Sequence, residues 1–209
     1  MKKQFKIFLN SEGDSYFKRN IELNFGEELL YNKIKHLYSK VKFKKILEIG
    51  CGDGGRLRLL NEKLKIKCYG VEPSSSAIRF CKKKNNNITV KKGTAKKLNF
   101  QKNMFDVVVF GFCLYLVDIE DLVKVFIEAD RVLKNGGHIF IYDFYSKSSK
   151  IFPYKHNKNI KTHKHDFEKI FLWHPNYKSV YKKIFDHGNF HKKGKNPNNL
   201  TVISLVKKN

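Results

Sequence analysis

The chain has 209 residues, 41% hydrophobic and 14% aromatic, which excludes a disordered chain and fits one folded domain with a substantial core. No apolar run approaches the roughly 20 residues that cross a bilayer, and the N-terminus lacks a signal peptide's apolar centre, so a cytoplasmic protein is expected. A formal net charge of +24 raises a polyanionic partner, but only five of the 43 basic residues are arginine, so compositional bias is favoured over nucleic acid as its cause.

Residues 1–43 read as an N-terminal helical cap. Within it, a helix over 26–41 sets Leu29, Leu30, Ile34, Leu37 and Val41 on one face, behind the polar–aromatic string E-G-D-S-Y-F-K-R-N of residues 12–20. From residue 44 onward, short apolar runs alternate with helical patterns, as in a parallel α/β sheet. Strands are expected over 44–49, 67–72, 88–92, 105–110 and 138–144. Helices are expected to begin at residue 56 and to span 74–84 and 119–133, the last carrying Leu122, Val125, Phe126, Ala129 and Val132 at helical spacing and ended by Asn135-Gly136-Gly137.

The pattern then breaks. Residues 145–177 form a basic, histidine- and aromatic-rich insertion in which only 166–172 looks helical. Two strands follow, over 178–185 and 200–206, with a polar loop and no helix between them, which implies an antiparallel hairpin. The fold class expected is a Rossmann-like, seven-stranded α/β sheet: five parallel β/α units closed by that hairpin and flanked by helices in a single domain.

The string I-L-E-I-G-C-G-D-G-G-R-L at 46–57 satisfies two patterns. Gly50, Gly52 and Gly55 spell the dinucleotide fingerprint G-x-G-x-x-G, whereas Gly50, Gly52 and Gly54 spell G-x-G-x-G behind the acidic Glu48. A loop of this kind turns sharply after a strand and brings backbone close to a ligand. The antiparallel closure argues against a nicotinamide domain, which more often continues with a sixth parallel strand. Glu72 ends the second strand, about twenty residues on, where an acidic side chain accepts ribose hydroxyls.

The successive strings L-E-I-G-C-G-D-G, Y-G-V-E-P-S, G-T-A-K-K-L, F-D-V-V-V-F-G and R-V-L-K-N-G-G resemble, in order over residues 44–144, the motifs of class I S-adenosylmethionine (SAM)-dependent methyltransferases. The resemblance implies SAM as methyl donor and S-adenosylhomocysteine as product. It implies that Gly50, Cys51, Gly52, Asp53 and Gly54 hold the methionine end, with Glu48 and Asp53 beside its positive charges. It places Glu72 at the ribose, Pro73 by the adenosine, Thr94 and Ala95 at the adenine edge, and Phe110 and Gly111 on the pocket floor. Thr94 departs from the aspartate often found there, so its adenine contact falls to backbone. Tyr16 and Arg19 of the cap are candidates to close over SAM.

The flanks, E-G-D-S-Y-F-K-R-N, Y-D-F-Y-S-K-S-S-K-I-F-P-Y-K-H and K-H-D-F, are similar to pseudaminic acid biosynthesis-associated methylases, a surface-sugar group. That implies a small acceptor, a sugar, nucleotide-sugar or glycan precursor, whose acidic groups would meet the basic segment 145–165. An O- or N-acceptor must lose a proton, and Asp143, Tyr145, His156 and His165 are the candidate catalytic residues. His163-x-His165 lacks a third metal ligand, and the scattered Cys51, Cys68, Cys81 and Cys113 have no zinc spacing, so no metal is expected. The alternatives are an RNA or tRNA methyltransferase, supported by charge alone, and a non-catalytic SAM-binding protein. Nothing in the sequence sets an oligomeric state.

Overall fold

The structure, a computed structural model, describes residues 3–21, 27–84, 87–193, 196 and 198–209; Gly26, where the cap helix was expected to start, lies outside them. The chain opens with α1 (Gln4–Ile7), a π-helical turn (Phe8–Glu12) and α2 (Gly13–Asn20), followed by α3 (Glu27–Lys40). The β/α series is β1 (Lys45–Ile49), α4 (Gly55–Leu64), β2 (Lys67–Glu72), α5 (Ser75–Lys84), β3 (Thr89–Lys92), β4 (Phe105–Gly111), α6 (Leu122–Val132) and β5 (Leu133–Tyr145). Then come β6 (Lys150–Pro153), β7 (Lys161–Lys164), α7 (Lys169–Leu172), β8 (Tyr177–Asp186), β9 (Asn189–Lys193) and β10 (Leu200–Lys208).

The main sheet runs β3-β2-β1-β4-β5-β10-β8-β9, with β1–β5 parallel and β10 antiparallel to both β5 and β8. This is the expected seven-strand arrangement, extended by the short edge strand β9 where a plain loop was expected. Central strands are buried on both faces, which explains their continuous apolar runs. On β4, Val107 and Val109 join the core under α3–α5, while Val108 and Phe110 join the core under α6 and α7. The five periodic residues of α6 are all buried.

Four expectations need correction. Val41 lies beyond the end of α3 and is exposed, because the helix stops at Lys40. Asn135-Gly136-Gly137 does not end α6: Leu133 already turns extended and pairs with Phe105, and the glycines form a bulge before pairing resumes at Val107↔His138. Gly136 takes φ +77° there, a conformation glycine adopts without strain. The insertion is not merely a loop with one helix, since β6 and β7 form a hairpin in register Ile151↔His163. Finally, the helix expected over 166–172 shrinks to the single turn α7.

The string at residues 12–20 acts as a fastener between the cap and the sheet. Gly13 packs so closely on α5 that an added Cβ would sit 3.1 Å from Ser74 N. Asp14 Oδ1 accepts from Ser74 Oγ at 2.6 Å and from Ser76 N at 2.9 Å, capping α5 from a distant segment. Arg19 donates to Glu12 at 2.5 Å and to Tyr154 Oη at 3.0 Å, and Asn157 donates to Glu12 at 3.3 Å, tying the cap to the β6–β7 turn.

Candidate active site

β1 and β4 are neighbours whose following connections lead to opposite sides of the sheet, so a crevice opens beyond their carboxyl ends. The loop after β1 enters it with Gly50, Gly52 and Gly54 at φ +74°, +54° and +72°. A Cβ on Gly50 would meet Cys113 Cβ at 2.8 Å, and one on Gly54 would meet Cys81 Sγ at 2.5 Å. At Gly52 nothing lies within 4 Å, because that residue borders open cleft. Gly55, which completes the dinucleotide pattern, is simply the first residue of α4. Replacing Gly54 with alanine therefore combines backbone strain with overpacking, and thermal denaturation is expected to show a loss of about 2 kcal/mol.

Glu72, at the end of β2, is only 7% exposed yet faces this cleft. One carboxylate oxygen accepts Gly52 N–H at 2.9 Å and the other Ser74 N–H at 2.9 Å, so the acid anchors the glycine loop. Burial pushes its carboxyl up to about 7, against the pull of those two donors. Around Glu72 lies a cavity of about 790 Å³, bordered by Ile49, Val71, Pro73, Thr94 and Ala95, and covered by Phe5 and Phe8 of the cap. Tyr16, Gly50 and Phe112 also border a second, wider space of about 1620 Å³. Phe112 holds φ +50° just past β4, where its ring packs on Tyr142 and Phe144.

The wider space has a different character. Its walls are aromatic, with Tyr115, Phe144, Phe152 and Tyr154, and its cations are Lys155, Lys164 and Arg56. Arg56 is neutralised by a buried ion pair with Glu48. Lys164 lies over the rings of Phe144 and Phe152, 5.0 and 5.4 Å from their centroids, and donates to Asn198 O at 2.6 Å. It makes no ion pair among the described residues, and burial lowers its ammonium below the ordinary lysine value.

Residues 47–141 match the methyltransferase domain family. A ubiquinone/menaquinone biosynthesis C-methyltransferase of Campylobacter jejuni is 28% identical over 157 residues, 69% of this chain and 66% of that protein. A fatty-acid O-methyltransferase of Mycolicibacterium smegmatis is 30% identical over 65% of this chain and 52% of its own length. The chain thus spans between half and two thirds of these relatives. The fold of the 1,6-didemethyltoxoflavin N1-methyltransferase of Burkholderia thailandensis, solved with its substrate and S-adenosylhomocysteine, superposes with a TM-score of 0.76 at 12% identity, covering 98% of this chain and 89% of that one.

Residues 47–141 are thus similar to methyltransferase domains, and the fold is shared with a methyltransferase solved with S-adenosylhomocysteine bound. The residues of this chain fit the donor: the open backbone at Gly52, the buried Glu72 and the apolar slot beyond it form a cradle at the carboxyl end of β1. Of the expected donor contacts, Gly50, Glu72, Pro73, Thr94, Ala95 and the cap's Tyr16 border the inner cavity. Glu48, Cys51, Gly52, Asp53 and Gly111 border the outer one. Two carry further duties: Asp53 accepts the Gly55 N–H at 3.0 Å in the turn that leads into α4, and Glu48 is held by Arg56.

Other expectations fail on geometry. Phe110 does not floor the pocket, because strand alternation turns it under α7, fully buried, with its ring 6.2 Å from that of Phe171. Arg19 does not border the cleft, being spent on Glu12 and Tyr154. Asp143 cannot act as an accessible base: it is 0% exposed and accepts the N–H groups of Cys113, Leu114 and Phe144 at 3.1, 2.8 and 2.8 Å. Tyr145 sits instead by Lys182, whose Nζ is 5.6 Å from its ring, and His165 pairs with Ser149 at 3.3 Å and packs on Phe167. His156 alone of the four candidates borders the cleft, exposed at its mouth.

Sequence reading missed Arg56, Phe112 and His187. The i,i+8 spacing of Glu48 and Arg56 has no periodic signature, since a glycine loop intervenes. His187 stands in a turn, D-H-G, where a histidine carries no local signal.

Proposed function

We propose that the protein transfers a methyl group from SAM to an oxygen or nitrogen atom of a small, negatively charged acceptor of the sugar, nucleotide-sugar or glycan-precursor type. The supporting observation is a pair of lysines in the wider, acceptor half of the cleft. Lys164, which has no ion-pair partner among the described residues, and Lys155 both border it, while its carboxylate Glu48 is already paired with Arg56 and Asp53 accepts the Gly55 N–H. A half-buried ammonium without a counter-charge costs desolvation energy that an anionic ligand would offset. Flat aromatic walls at Phe112, Phe144 and Phe152 suit the faces of a ring.

SAM, when bound, supplies a carbon already activated by its sulfonium. The protein's part is to align the acceptor, exclude water and take up one proton. The cap serves exclusion: Gln4 ties it to the loop after β4 through Asp118 at 3.0 Å and Leu116 O at 2.9 Å. No described helix is long and apolar enough to cross a membrane.

The reading is tested by measuring S-adenosylhomocysteine released from SAM in the presence of UDP-glucuronate, demethylmenaquinol, a long-chain fatty acid or tRNA. Release with the acidic nucleotide sugar, weakened by Lys164→Ala, is expected. Release with the neutral quinol or with tRNA alone would contradict it.

A further inference from the structure

His187 stands in the turn after β8, which ends in Gly188 at φ +80°, and its ring borders the acceptor half of the cleft together with Gly50, Gly52 and Gly111. Three contacts fix that ring. Its Nδ1 lies 3.0 Å from Thr201 Oγ1, and Phe112 and Phe144 pack against it with centroids 5.6 and 4.9 Å away. Thr201 is fully buried on β10, in register with Phe144 of β5 and Phe185 of β8, so the hydroxyl is held by two strands. The His187 backbone is pinned as well, its N–H donating to Asn199 O at 2.8 Å. Among the described residues nothing else hydrogen-bonds the ring, which leaves Nε2 for the cleft.

We infer that His187 is the general base of the reaction, its Nδ1–H donating to Thr201 Oγ1 so that the Nε2 lone pair accepts the acceptor's proton. A lone pair on the acceptor O or N forms the new bond to the methyl carbon as the carbon–sulfur bond breaks toward sulfur. The displaced proton passes to Nε2 and then to solvent, so charge balances without any further reactant. Thr201 is the positioning residue. Burial, with Lys164 across the cleft, holds the imidazole below its ordinary value, so it is neutral and able to accept a proton at pH 7. Lys164 of β7 is the charged group facing the ring; Phe112, Phe144 and Thr201 are uncharged, and Asp186 is its neighbour in the chain.

This inference rests on the proposed methyl transfer and is tested separately from it by 15N NMR of the uniformly labelled full chain, reading backbone amides and histidine ring nitrogens between pH 5 and 8, with and without S-adenosylhomocysteine. Perturbation of the Gly52 and Gly54 amides by that ligand tests the donor site; the His187 nitrogens test the base. The wild type is expected to carry its proton on Nδ1 at pH 7, T201V to move it to Nε2, and T201S to keep it on Nδ1. A wild-type His187 that is charged at pH 7, or protonated on Nε2, overturns the assignment. With an acceptor from the screen above, H187Q is expected to slow turnover by roughly 10²- to 10³-fold. It should also abolish the acidic limb of the pH profile at unchanged S-adenosylhomocysteine affinity. Wild-type turnover in H187Q with the limb intact overturns it equally.

Discussion

Replacing Asp143 with alanine is expected to destabilise the protein by about 4 kcal/mol, because it strands three backbone donors at the centre of the fold. The carboxylate takes Cys113 and Leu114 N–H on one oxygen and Phe144 N–H on the other, and none of it reaches solvent. A chain of this size would lose on the order of 10 °C in Tm. Asp143→Asn keeps one acceptor oxygen and is expected to cost about half as much. The pH dependence is a second signature. Burial raises the Asp143 carboxyl from 3.8 to about 7, so the folded state binds a proton more tightly than the unfolded state between those values. Its contribution to stability is therefore fullest at low pH and is lost as pH rises through about 7. The wild type's advantage over Asp143→Asn should narrow between pH 5 and 8 in paired thermal melts. A constant gap would show that the carboxyl does not titrate in that window.

Replacing Glu72 with alanine is expected to weaken SAM binding at least ~100-fold while leaving the fold intact. In the proposed donor site this carboxylate accepts ribose hydroxyls, and charge-assisted bonds of that kind contribute about 1.5–3 kcal/mol each. The substitution also frees Gly52 and Ser74 from their shared acceptor, so the glycine loop loses its anchor. A protonated Glu72 is a poorer acceptor, and its carboxyl titrates near about 7. Affinity for SAM should consequently rise from pH 6 to pH 8 in the wild type and stay flat in Glu72→Gln. Calorimetry at three pH values decides this, and equal wild-type affinities throughout would remove Glu72 from the site.

The parts legible in the sequence were those with a period or a steric demand. β2 was read to the residue, and the buried stripe of α6 was read in full, because apolar spacing reports burial directly. The glycine loop was legible because positive φ at Gly50, Gly52 and Gly54 strongly favours glycine. The β6–β7 hairpin escaped, since K-I-F-P and K-T-H-K alternate without a clear apolar face. Asp143 was misread for a reason of scale. Its place near the carboxyl end of a parallel strand marks it as near the site, but only the path of the β4–α6 connection shows that the Cys113 and Leu114 N–H groups, with the neighbouring Phe144 N–H, have already claimed it. His187 reached the cleft through a turn and two long-range partners, Thr201 and Phe112, none of which is near it in a sequence window.

The central claim is that the crevice beyond β1 and β4 binds SAM, and one calorimetric experiment tests it most directly. SAM, S-adenosylhomocysteine and NAD are each titrated into the wild type and into Glu72→Ala. Saturable binding of SAM and S-adenosylhomocysteine to the wild type, lost in the variant, with no heat from NAD, is the predicted result. Binding of NAD without SAM would contradict the account.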